Sequence, residues 1–237
     1  MCHTRFKRKL LASCGLAACV LLLLFGASGT WSAAETRLHL PAIFENWAPP
    51  TPSSTDPLLI TELLVDAALE PGGEWFELYN PNPGPLDLTY YKVGDEETFG
   101  GGEGMFQFPF GSQLRPRQVL VVAHQATSFQ ATYGFLPDYE LRESLPQVPN
   151  MIKYAAWATG SVELVNSGDD LLVLNSLDAP VDAVSWGSSL YAFSPSAPKA
   201  GQDQTLARHS VCLDSDTASD WLVRAEPSPG WVEACPL

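Results

Sequence analysis

An all-β sandwich is the fold class that the sequence predicts for residues 58–232. Apolar residues there recur with period two over short runs, and the runs are separated by clusters of Pro, Gly, Asn and Asp. Helix signals are scarce, and short strands at turn-punctuated intervals favour two packed antiparallel sheets.

In chain order, Glu74-Trp-Phe-Glu-Leu-Tyr-Asn80 alternates as a strand, with Phe76 and Leu78 on one face and Trp75, Glu77 and Tyr79 on the other. Asn80-Pro-Asn-Pro-Gly-Pro85 ends it, because prolines donate no ladder hydrogen bond. Strands are expected at 88–93, 106–108 and 119–123. Short helical turns are expected at 126–133, capped by Thr127 or Ser128, and at 150–156. A hairpin is expected between 162–165 and 171–174 around Asn166-Ser-Gly-Asp-Asp170, followed by a strand at 181–186. The surplus over the ~100 residues of a minimal immunoglobulin sandwich falls in the loops 94–104 and 137–160. Long ordered loops on a rigid scaffold are where binding commonly resides.

Residues 1–34 have the pattern of a secretory signal. Arg5, Lys7, Arg8 and Lys9 precede an apolar run at 10–25, and small residues follow at 27–34. Cleavage after Ala34 releases a secreted or cell-surface chain, whereas an uncleaved signal is long enough to anchor it in a membrane. Residues 35–57 form a Pro-rich linker, in which the prolines hold their neighbours extended. Residues 233–237 are a C-terminal tail.

Removing the signal leaves nine Lys and Arg against 27 Asp and Glu. Such a polyanion repels phosphates, which argues against nucleic acid as a partner. Three of the five cysteines go with the signal, so Cys212 and Cys235 are the pair left for one disulfide in an oxidising compartment, the alternative being two free thiols.

Signals for chemistry are few. The mature chain offers His39, in the linker, and His124 and His209, which read as half-exposed polar caps ending strands. No Gly-x-Ser-x-Gly elbow or His-Glu-x-x-His pair occurs. Asp214, Asp216 and Asp220 have spacings that could converge on calcium, although the glycine and glutamate of a helical calcium loop are missing and a self-capped turn competes. Glu62, Glu74 and Glu77 could supply paired carboxylates for a hydrolase if a cleft brought them together. Trp75, Glu77 and Tyr79 make an aromatic and acidic strand face that could stack on a sugar or grip a partner, or else form a second buried face.

Several of these segments, taken in order, resemble the lamin tail domain as it occurs in secreted and surface proteins of bacteria. They are Glu74 to Asn80; Asp87-Leu-Thr-Tyr-Tyr-Lys-Val-Gly-Asp95; Phe108-Pro109 with Leu114, Pro116, Gln118 and Val119; Leu164, Asn166, Gly168, Asp169, Leu172 and Leu174; Val181-Asp-Ala-Val-Ser-Trp186; and Gln204-Thr-Leu-Ala-Arg208 through Asp220-Trp221 to Pro227-Ser-Pro-Gly230. The loops at 94–104 and 137–160 depart from that pattern. The resemblance implies an immunoglobulin-like β-sandwich that interacts and has no chemistry of its own. The expected role is an extracellular or cell-surface module without a cofactor, binding a protein or a cell-envelope polysaccharide. The competing expectation is an extracellular hydrolase using paired carboxylates or a bound metal.

Overall fold

The computed structural model describes residues 58–233; the signal, the linker and Cys235 lie outside the described residues. The fold is all-β, as expected, with thirteen strands and one short α-helix among the described residues. The strands are β1 (Leu59–Leu64), β2 (Trp75–Tyr79), β3 (Leu86–Asp87), β4 (Lys92–Gly94), β5 (Met105–Gln107), β6 (Gln113–Leu114) and β7 (Val119–Ala123). After helix α1 (Ala126–Tyr133) come β8 (Tyr139–Glu140), β9 (Ile152–Lys153), β10 (Gly168–Leu174), β11 (Pro180–Gly187), β12 (Thr205–Arg208) and β13 (Trp221–Arg224).

Two sheets carry the fold. One has the order β13-β12-β1-β2-β7-β8 and the other β11-β10-β4-β5-β9, with β3 and β6 paired separately. Phe76, Leu78, Leu120, Val122 and Leu206 from the first sheet share a buried cluster with Val93, Leu172, Val184 and Trp186 from the second. Burying these side chains is the dominant favourable contribution to such a sandwich.

A bulge between Ile60 and Glu62 on β1 breaks the simple alternation. It leaves Ile60 and Leu63 in the same core cluster although they are three residues apart. Thr61 and Glu62 are thereby both turned to the opposite face, the expected effect of one extra residue in a ladder.

The expected pairing around Asn166 is corrected. Residues 162–165 form no strand, and β10 instead pairs with β11 and β4. Val162 and Leu164 are buried all the same, and carboxylates do the work of a neighbouring strand: Glu163 N–H donates to Asp95 at 2.8 Å and Val165 N–H to Asp169 at 2.9 Å. The turn at 175–179 closes the hairpin, with Asn175 Oδ1 accepting from Leu177 N–H and Ala179 N–H.

Helix α1 has its expected bounds, but neither Thr127 nor Ser128 caps it. Its first N–H groups donate to another segment, Ala126 to Glu140 Oε2 at 2.9 Å and Thr127 to Ser144 Oγ at 3.0 Å. The 150–156 helical turn is replaced by β9, so the long 137–160 loop adds a strand to each sheet, β8 to one and β9 to the other. Among the described residues, no helix is long and apolar enough to cross a membrane.

Candidate functional site

Trp75, Glu77 and Tyr79 do lie together on the outer face of the six-stranded sheet, but that face is covered. Their exposures are 1%, 0% and 1%, so they form no surface for a ligand. Helix α1 covers Trp75, whose ring meets Phe129 and Tyr133 edge-on and whose indole N–H donates to Tyr133 Oη at 3.0 Å. Tyr79 packs with Leu59 and Val211. Strand alternation assigns a side chain to a face but does not say what a later segment lays over it.

The cover over Glu77 is the segment after β13. Glu62 and Glu77 face each other across β1 and β2. Glu77 accepts from Thr61 Oγ1 at 2.8 Å and from Gly230 N–H at 2.9 Å. Glu62 accepts from Thr205 Oγ1 at 2.5 Å, Ser228 N–H at 3.0 Å and Ser228 Oγ at 2.7 Å. Gly230 holds φ +83°, a backbone state that favours glycine. Burial pushes the Glu77 carboxyl up to about 8, against the opposing pull of Thr61 and Gly230. The paired acids that suggested a hydrolase therefore bind the chain's own backbone. Glu74, the third, points to the other side of the sheet.

Asp214 and Asp220 are drawn together by Arg208. This side chain is almost fully buried and donates from Nε to Ile60 O at 2.9 Å, from Nη2 to Asp182 at 2.9 Å and from Nη1 to Asp214 at 2.7 Å; Asp220 lies 3.8 Å from Nη1. Asp220 also accepts from Ser215 and belongs to the capping box of the 3-10 turn Ala218–Asp220. Asp216 is placed with Asp182 and Asp214, their oxygens within 4.8 Å of one another. The positive charge in this acidic group is a guanidinium, and its fork geometry suits several carboxylates at once. Cys212 lies between β12 and this turn.

A second acidic group lies outside the candidate site residues that the sequence singles out. Oxygens of Glu97, Asp169 and Asp170 lie within 4.8 Å of one another, as do those of Glu96, Glu97 and Glu103. Asp95 accepts from Gly104 N–H at 2.7 Å and Glu163 N–H, and Glu96 from Thr98 and Glu103 N–H, both at 2.9 Å. Asp170 accepts from Ser185 Oγ and Ser189 Oγ. These carboxylates brace the loops around them. Burial, and then a hydrogen bond to Asp170, raise the Glu97 carboxyl. The density of acids at 95–97 and 169–170 was the available signal.

Two exposed aromatic rings lie away from that covered face, whereas Trp231, 57% exposed, lies beside Glu62 and Glu77. Phe110 is 82% exposed and Tyr90 47%, with ring centroids 6.5 Å apart and planes tilted by 46°. The backbone around them is tied down: Tyr90 N–H donates to Phe108 O, Gly111 N–H to Thr89 Oγ1 and Thr89 N–H to Asp87 Oδ1. His124 is no half-exposed cap; it is 8% exposed and faces the interior.

Fold and site together define an immunoglobulin-like β-sandwich module in which several buried carboxylates hold its own loops. The family model of the lamin tail domain matches residues 51–188, and the chain belongs to that family, a non-enzymatic kind of domain. No curated protein matches the chain. Among solved structures it is similar to a DUF4876 family protein from Bacteroides thetaiotaomicron, with 12% identity and a TM-score of 0.43 over 65% of this chain; the match spans 62% of that protein's length.

Proposed function

We propose that this chain is a non-catalytic module exported to the cell exterior, where it binds a cell-envelope polysaccharide and works without a cofactor. The observation that carries this reading is the Tyr90–Phe110 pair, two adjacent rings held out on a braced turn. Aromatic faces stack on the apolar faces of sugar rings, and a ring on a rigid turn loses little freedom on binding. Charge supports a neutral ligand, since the acidic excess disfavours polyanions. Export rests on the basic and apolar pattern of residues 1–34, and a Cys212–Cys235 disulfide fits the same compartment.

Incubation of the mature chain with purified envelope glycans and with isolated envelopes tests the reading. Retention on glycan without release of soluble sugar is expected. Retention only on an envelope protein replaces the polysaccharide with a protein partner. Sugar release that Glu62→Gln or Glu77→Gln abolishes makes the chain a hydrolase.

A further inference from the structure

Where β2 and β7 stop pairing, His124 N–H donates to Glu74 O at 2.8 Å. Their neighbours Trp75 and Ala123 are paired and belong to the outer cluster, so alternation turns the Glu74 and His124 side chains inward, side by side. Both are more than nine-tenths buried. Each keeps one buried atom, Glu74 Oε2 and His124 Nδ1, without a hydrogen-bond partner in the protein. They line one narrow cavity with Phe76, Leu141, Val162 and Leu164. Three of those apolar side chains come from residues 141–164, the stretch that joins the two sheets.

We propose that Glu74 and His124 form a proton-controlled latch beneath residues 141–164: Leu141, Val162 and Leu164 stay packed over the pair while neither group is charged, and the segment loosens when either ionises. An ionised group with one atom left unpartnered is costly in an apolar site, even with Leu164 N–H on the other Glu74 oxygen, and opening the segment to water relieves that cost. The surrounding charges reinforce this. Glu70 before β2, Asp95 after β4 and Glu163 within the segment all oppose a negative charge on Glu74. On the other side Arg142 opposes a positive charge on His124, and Glu163 favours it.

Burial moves the Glu74 carboxyl from its ordinary value of 4.5 up to about 8, against the opposing pull of the Leu164 N–H. Burial and then Arg142 lower His124 from 6.5. Glu74 keeps its proton only in the closed state, so between pH 4.5 and 8 rising pH favours opening. His124 accepts a proton more readily in the open state, so below pH 6.5 falling pH also favours opening. Above 6.5 only the Glu74 effect remains, and the open-to-closed ratio changes by up to about tenfold per pH unit.

Hydrogen exchange resolved to peptides within 141–164, expressed as protection factors, tests the latch. Between pH 6.5 and 8 the wild-type segment should lose up to about thirtyfold in protection. Glu74→Gln should be flat over that range, whereas Glu77→Gln should keep the wild-type slope. An unchanged slope in Glu74→Gln, or a flat wild type, overturns the proposal. Carbon-13 titration of the Glu74 carboxyl in the wild-type chain gives a test independent of any variant: titration near 8 supports the latch, and titration near 4.5 overturns it.

Discussion

Glu62 and Glu77 stand opposite each other on neighbouring strands, and each accepts a backbone N–H from the C-terminal segment, Glu62 from Ser228 and Glu77 from Gly230. Like charges directly opposite in a sheet are ordinarily destabilising. Here the segment laid across them supplies donors, and the raised Glu77 carboxyl removes one of the two charges near neutral pH.

Glu62→Ala leaves the Ser228 N–H and hydroxyl and the Thr205 hydroxyl without their acceptor. A loss of about 2–4 kcal/mol in urea unfolding is expected. Gly230→Ala should cost about 1–2 kcal/mol, because the residue holds φ +83° while the added Cβ would meet only Phe135 at an ordinary 3.7 Å.

The pH dependence has a defined sign at Glu77. Its folded-state value is raised from 4.5 to about 8, so its contribution is fully present below 4.5 and is lost as pH rises through about 8. Glu77→Gln cannot ionise. Chemical unfolding from pH 5 to 9 should show the variant gaining on the wild type with rising pH, and parallel profiles would contradict the assignment.

Arg208 tests the nature of the Asp214 group. Arg208→Ala strands Asp182 as a buried charge and should cost about 3–5 kcal/mol. Arg208→Leu combined with Asp182→Leu should recover only part of that loss, as measured by thermal melting, because Ile60 N–H and C=O both lose their partners. If the three aspartates instead depended on a metal, chelator would lower the wild-type melting midpoint as far as Arg208→Ala does.

Trp75→Ala should destabilise by about 3–5 kcal/mol, as for a core aromatic. Trp75→Phe should lose less, since it gives up the bond to Tyr133 and part of the packing. Calorimetry on both variants checks this, and a Trp75→Ala chain with unchanged stability would restore Trp75 to a surface role.

How far the sequence could be read follows from what kind of signal each part left. The strand at 119–123 and the helix at 126–133 were legible within their own bounds, because Val-Leu-Val-Val-Ala is apolar and Ala126 to Tyr133 lacks Gly and Pro. The hairpin partner differs from the expected one because Val162 and Leu164 are buried while the N–H groups of Glu163 and Val165 bond to Asp95 and Asp169, which leaves the same apolar alternation as a strand. Glu62 faces outward only because of a bulge that local patterning does not mark. The covering of Trp75 and Glu77 comes from far downstream, at Phe129, Tyr133 and Gly230, and Tyr79 is packed by Leu59 and Val211. The spacing of Asp214, Asp216 and Asp220 marks an acidic turn, but it does not mark the arginine on β12 that Asp214 and Asp220 face.

Recognition through the exposed aromatic pair is tested most directly by the binding isotherm of the mature chain on a retained envelope glycan, with Tyr90→Ser and Phe110→Ser alongside. Both side chains are surface groups, so melting midpoints should stay close to wild type while affinity falls at least about tenfold, as for loss of a binding hot spot. Wild-type affinity in both folded variants would contradict it.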